Sequence, residues 1–366
     1  MPNTAIACRS SGRVRLDSRC HMVVVGCFFG ALIMESGLGA QEPRGLTALD
    51  GIKVGHHTLA SRPTGCTVVL VEEGAVAGVD VRGGAPGTRE VALLDPVKTV
   101  QEVHAIVLAG GSAFGLDAAS GVVRYLAERE IGYDTAVAKV PIVPAAILFD
   151  LGVGDDPTIR PTAECGYRAA ERSATGAVAE GNVGAGAGAT IGKSAGAGRA
   201  MKGGIGSAAV TLPDGLTVAA LVAVNAVGDV IDPTTGQVVA GVRTADGRGL
   251  ADARILLRGG GSRPGRQREN TTIGVVATDA ELTQAQATVM AQMAHDGFAR
   301  ALAPSHTPSD GDAIFALATG RRSGRANLST IGALAADVMA EAIVRAARAA
   351  VGIPGYPAAR DLRVGQ

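Results

Sequence analysis

Asn270-Thr271-Thr272-Ile273-Gly274-Val275-Val276-Ala277 joins a loose Gly/Arg/Pro-rich stretch, Arg258 to Glu269, to an apolar run of strand length. Val and Ile in such a run predict a buried strand. A hydroxyl residue at the head of a buried strand, directly after a cleavable stretch, is how a chain prepares an N-terminal nucleophile. Cleavage between Asn270 and Thr271 would give Thr271 a free α-amine beside its own hydroxyl. The reference pKa of that amine is about 7.7–8, close to working pH, so it can take the hydroxyl proton as a built-in general base. The same residues also read as a plain strand entry, and the rest of the chain decides between the two.

With 366 residues, 47% of them hydrophobic, the chain can bury a large core in one big domain or two smaller ones. A formal net charge of zero, without long blocks of like charge, argues against a nucleic-acid surface. Aromatics at 3% leave few platforms for stacking bases. The 52 glycines lie in apolar surroundings without a G-X-Y period, which excludes collagen and points to close backbone packing and tight turns. Cys8, Cys20, Cys27, Cys66 and Cys165 show no CxxC or Cys/His ligand spacing. They predict neither a disulfide framework nor a zinc site. The adjacent His56 and His57 suit a turn better than a metal pair, and no metal or cofactor is expected.

Residues 1–44 read as an extension outside the fold. Arg9, Arg13, Arg15 and Arg19 precede an apolar run from Met22 to Met34 and then Ser36-Gly-Leu-Gly-Ala40. Basic, apolar and small-residue regions in that order are the layout of a secretory signal. The run is well short of the roughly 20 residues that span a bilayer. A mis-assigned start, with translation beginning at Met22 or Met34, accounts for the same segment. A cytoplasmic protein is expected on the second reading and an exported one on the first.

From residue 45 onward strands and helices mix. Gly51–Gly55 reads as a short strand, and Thr67–Val71 and Ala75–Val81 read as a hairpin around Glu72-Glu73-Gly74. Ala105–Ala109 feeds Gly110-Gly111-Ser112 and a helix over Ala118–Arg129. Further helices are expected at 161–171, 283–301 and 329–351, and strands at 216–225, 273–279 and 313–319. Many strands are apolar on both faces, which requires a cover on each. A four-layer αββα sandwich and a doubly wound sheet both satisfy this, and the class is α/β in either case.

Gly110-Gly111-Ser112 follows a strand and opens a helix, but G-x-G-x-x-G and the P-loop pattern are both absent. Its amides could instead meet an anion such as a substrate carboxylate. Asp310-Gly311-Asp312 lies at the mouth of the strand 313–319. It reads as a solvated turn, or as two carboxylates facing one site, one orienting the Thr271 hydroxyl and amine. Asn225 ends a strand and could donate its amide to an oxyanion. Lys193, inside a Gly-rich segment, would be costly to bury without a partner.

Together these segments resemble the DmpA-like L-aminopeptidase/D-Ala-esterase/amidase family, which includes β-aminopeptidases and nylon-oligomer endo-hydrolases. The resemblance runs from about Gly45 to about Gly355. It is carried by Gly51-Ile-Lys-Val-Gly-His56, Val81-Arg-Gly-Gly-Ala-Pro-Gly-Thr-Arg89, Leu108-Ala-Gly-Gly-Ser-Ala-Phe-Gly-Leu116, Ala223-Val-Asn225, Asn270–Ala277 and His306-Thr-Pro-Ser-Asp-Gly-Asp312.

The resemblance implies an αββα sandwich of the N-terminal-nucleophile type, made as a precursor. It implies one cut at Asn270–Thr271, giving an α chain, 45–270, and a β chain, 271–366. It casts Thr271 as nucleophile, Asn225 as oxyanion donor and Asp310 and Asp312 as acidic partners. Lys193 matches a lysine of the nylon-hydrolase branch, with Lys202 as its competitor. The expected substrate is a short peptide or other amide, and the expected assembly is a tetramer of processed heterodimers, with no nucleic acid and no membrane span. Two departures stand out. Thr271 and Asp310-x-Asp312 replace the Ser and Ser-x-Glu of many members. Phe149 stands where several carry a tyrosine whose hydroxyl lies near the oxyanion. An ornithine acetyltransferase-like acyl transferase and a non-enzymatic scaffold remain as alternative readings.

Overall fold

Successive residues of the strand Thr271–Ala280 face two different cores. Ile273, Val275 and Ala277 join Leu221, Ala223, Phe315 and Leu317 in one cluster, whereas Val276 joins Val222, Ile314 and Met339 in another. The computed structural model, which describes residues 45–260, 270–324 and 327–362, shows what covers each face. All of these fall in the unit Gln41–Gln366. The extension 1–44 and residues 261–269 of the stretch before Asn270 lie outside the described residues.

One group of strands comprises β1 (Lys53–Thr58), the first half of β2 (Gly65–Val81), β3 (Glu102–Ala109) and β4 (Ala145–Ile147). The other comprises β5 (Gly204–Thr211), β6 (Thr217–Asn225), β7 (Thr271–Ala280), β8 (Ala313–Arg322) and the second half of β2. The ladder is continuous in the order β5-β6-β7-β8-β2-β3-β4. β2 carries it from one layer to the other. Cys66–Leu70 pairs with β3 while Val76–Val81 pairs with β8, and the register shifts between Leu70 and Ala75. The expected hairpin at Glu72-Glu73-Gly74 is therefore a bulge within one long strand. Gly74, at φ 86°, gives the kink without reversing the chain.

Folded over at β2, the two layers face each other. Val69, Ile106 and Leu108 of one meet Leu221, Ile273 and Phe315 of the other in a shared core. The outer face of the first layer is covered by α1 (Ala118–Ala127) and α2 (Ala163–Glu171), through Val122, Leu126 and Ala169. That of the second is covered by α3 (Gln284–Ala301) and α4 (Leu328–Ala349), through Phe298, Met339 and Ile343. The result is a four-layer αββα sandwich, and the doubly wound alternative falls away.

Local sequence sets the helix starts. Thr283 and Gln286 form a reciprocal capping box on α3, and the Asn327 side chain accepts from the Thr330 amide to cap α4. The alanine-rich α4 lies almost on bare backbone, since a methyl at Gly206 of β5 would fall 2.0 Å from the Ala342 carbonyl oxygen. Close packing is what the glycine count implied.

Two sequence expectations change here. Cys66 and Cys165 form a disulfide, with Cα atoms 6.2 Å apart and a sequence separation of 99, tying β2 to α2. No local spacing announces a bond between a strand and a distant helix. His56 and His57 lie in β1 rather than in a turn, where neighbours point to opposite faces. Among the described residues no helix is long and apolar enough to cross a membrane.

Candidate active site

Asn225 ends β6 and Thr271 begins β7, and the antiparallel register sets them directly opposite each other. Opposed residues share a face of the sheet. Counting by twos from Ala223 and Ile273, that face is the one between the two layers. Both residues are buried, with Thr271 2% exposed.

The Thr271 hydroxyl donates to the carbonyl oxygen of Asn270, the residue before it. The Gly311 amide donates to the same oxygen at 3.1 Å. Only a bare backbone fits at Gly311, because a methyl there would lie 2.7 Å from Thr271 Oγ1 and 2.6 Å from the Ala85 carbonyl oxygen. Asn270 is itself buried and bridges Asp310.

The two carboxylates frame this point through backbone groups. Asp312 Oδ1 accepts from the Thr272 amide at 2.8 Å. Its Oδ2 accepts from the His306 amide at 3.0 Å and lies 2.9 Å from His306 Nδ1. Asp310 Oδ2 accepts from the Thr307 amide at 3.0 Å and its hydroxyl at 2.5 Å, and Oδ1 accepts from the Val227 amide at 3.4 Å. Burial, and then the charge of Asp312, pushes the Asp310 carboxyl up to about 6. The sequence reading had one carboxylate on the Thr271 hydroxyl. With residue 270 still attached, the hydroxyl bonds its carbonyl instead.

A strap from the loop after β2 holds the acidic segment. The Arg82 and Gly83 amides donate to the Asp312 carbonyl at 3.0 and 3.2 Å, and the Ala85 amide donates to that of Asp310 at 2.8 Å. A methyl on Gly83 would fall 2.3 Å from the Asp310 oxygen. Sequence reasoning gave this loop no role, because its work is done by backbone. His306 was likewise not nominated, although it stacks on Phe298 at 5.7 Å between ring centres and bonds Asp312.

On the Asn225 side, Oδ1 accepts from Lys193 Nζ at 2.7 Å and from the Thr190 amide at 2.9 Å. Two donors fix the oxygen end of the side chain, which turns Nδ2 onto the Phe149 carbonyl at 2.9 Å. Phe149 thus contributes its backbone, not its ring. Lys202, cross-strand from Thr190, bonds backbone carbonyls and not Asn225. Fully buried, it donates to the carbonyls of Gly186, Ala189 and Gly203, and burial lowers its ammonium to about 7.

Gly110, Gly111 and Ser112 do not present free amides. They donate to Gly65 O at 2.9 Å, Asp150 Oδ1 at 2.9 Å and Leu148 O at 3.0 Å. The expected anion cradle is filled by the protein's own Asp150, which also binds Arg62 and Thr64.

This constellation sits in a sequence whose residues 45–360 match the model of peptidase family S58. The chain belongs to that family. Membership makes this S58 chain a peptide-bond hydrolase and sets aside the acyl-transferase and scaffold readings. An uncharacterized aminopeptidase of Mycobacterium leprae is 42% identical, over 87% of this chain and 94% of the relative. A 6-aminohexanoate-oligomer endohydrolase of Kocuria sp. is 31% identical, over 81% of this chain and 84% of the relative. Among solved structures, a β-aminopeptidase of Burkholderia sp. superposes with a TM-score of 0.62 at 25% identity, covering 85% of this chain and 88% of that one. The L-aminopeptidase D-Ala-esterase/amidase of Ochrobactrum anthropi, described as a variant of the Ntn hydrolase fold, gives 0.64 at 23% identity, covering 86% and 89%. Its likeness bears on the fold alone.

Proposed function

We propose that this S58 hydrolase is made as a precursor, cuts itself between Asn270 and Thr271, and then uses Thr271 as an N-terminal nucleophile on amide bonds of short peptides or peptide-like molecules. The observation that carries the reading is the Thr271 hydroxyl lying against the Asn270 carbonyl, at a strand head opposite Asn225.

In the first stage the hydroxyl oxygen bonds to the Asn270 carbonyl carbon, and the peptide C–N bond breaks. The hydroxyl proton ends on the Thr271 nitrogen, leaving an ester. Water hydrolyses that ester, releasing the Asn270 carboxylate and restoring the hydroxyl. In the second stage the new α-amine takes the hydroxyl proton as Thr271 attacks a substrate amide. The amine then protonates the leaving nitrogen, and water resolves the acyl-enzyme. Asn225 steadies the oxyanion with its amide, whose oxygen end Lys193 holds. Asp310 and Asp312 shape the loop behind the nucleophile.

The oligomer endohydrolase among the relatives supports amide-linked substrates beyond α-peptides. Processed heterodimers assembling as tetramers and a cytoplasmic location complete the proposal, with export following if residues 1–40 act as a signal. Amino-acid p-nitroanilides with free or acetylated amines test it. The native protein should hydrolyse at least one class and Thr271→Ala none. Turnover by Thr271→Ala at the native rate, or a native enzyme inert on every short amide, overturns the reading.

A further inference from the structure

We propose that the backbone N–H of Gly311 is the oxyanion donor for self-cleavage. The proposal rests on the reading of Thr271 as nucleophile and adds the group that makes the Asn270 carbonyl attackable. Asn225, the donor expected from sequence, does not bond the Asn270 oxygen in the uncut chain: one N–H of its Nδ2 goes to the Phe149 carbonyl at 2.9 Å, in an orientation fixed by Lys193 and Thr190 on Oδ1. The N–H that does meet the Asn270 oxygen is that of Gly311, at 3.1 Å. Oxyanion donors work at about 2.7–3.1 Å, and work best when they need no rearrangement.

This one needs none. The carbonyls of the residues before and after Gly311 are pinned, Asp310 O by the Ala85 amide and Asp312 O by the amides of Arg82 and Gly83. Asp312 in turn holds the Thr272 amide at 2.8 Å, so donor and nucleophile are fixed to each other from both ends. The missing side chain at residue 311 is part of the device, because a methyl would stand 2.7 Å from the attacking oxygen. As Thr271 Oγ1 bonds to the carbonyl carbon, the C=O pair moves onto the oxygen that Gly311 already touches. When the intermediate collapses, that pair returns and the C–N bond breaks. The hydroxyl proton goes to the departing nitrogen.

Replacing Gly311 by its hydroxy-acid counterpart, glycolate, exchanges this N–H for an ester oxygen and changes no side chain. The rate at which fragments appear should fall about 10²-fold or more. A rate equal to that of the unmodified chain overturns the assignment while leaving Thr271 in place. A second measurement avoids any question of whether the ester chain folds. In isotope-labelled Thr271→Ala, which should remain whole, a scalar coupling across the hydrogen bond is expected between the Gly311 nitrogen and the Asn270 carbonyl carbon. Its absence in a folded chain also overturns the assignment. If the unmodified chain is never cut, the Thr271 reading fails and this proposal fails with it.

Discussion

Asn225 stands directly across the β6–β7 ladder from Thr271, and both side chains lie on the face between the two layers. Their meeting is a consequence of register. The end of one buried strand delivers an amide to the head of the next.

Truncating that amide tests its part in catalysis. Asn225→Ala should lower turnover by about 10²–10³-fold, the usual cost of losing an oxyanion donor, with the circular dichroism spectrum preserved. Turnover at the native rate removes Asn225 from the mechanism.

Lys193→Met should act through Asn225. A hydrogen bond to a charged group is worth about 1.5–3 kcal/mol, so kcat should fall roughly 10–100-fold. KM should change little, because the lysine touches Asn225 and holds it in place. Steady-state kinetics decides, and a pure KM effect would place Lys193 on the substrate instead.

Gly83→Ala would drive a methyl into the strap that holds Asp310 and Asp312. Overpacking of this kind costs about 1–3 kcal/mol, and uncut chain should accumulate on a denaturing gel. Normal processing would show that the strap tolerates displacement.

Acidity gives a fourth test. The Asp310 carboxyl is raised to about 6, so between about pH 4 and 6 the folded chain keeps a proton that the unfolded chain has released. The stability linked to it is fully present below about pH 4 and is lost as pH rises through 6, on the order of 2–3 kcal/mol in all. Urea unfolding of the uncut Thr271→Ala chain should show this decline, and adding Asp310→Asn should flatten it. An unchanged slope in the double variant would assign the titration to another group.

The features legible in the sequence are those written in side-chain pattern. β6 and β7 showed themselves as apolar runs ending or starting on a polar residue, which is why Asn225 and Thr271 were readable. Glu72-Glu73-Gly74 misled because bulges and turns use the same residues, and only long-range pairing tells them apart. Cys66 and Cys165 meet through tertiary structure alone. Lys193 reaches Asn225 along a Gly-rich path without periodicity, so sequence nominated it with Lys202 still a competitor. The strap at Arg82–Ala85 and the Gly311 amide act through backbone, which every residue type supplies. Sequence named the candidate side chains around the Asn270–Thr271 bond and missed the main-chain groups that hold them.

Intact-mass measurement of the purified native protein tests the central claim most directly. A fragment running Thr271–Gln366, with an N-terminal threonine, is the predicted result, alongside a partner ending at Asn270. An active protein whose chain is whole across residues 270 and 271 would contradict it.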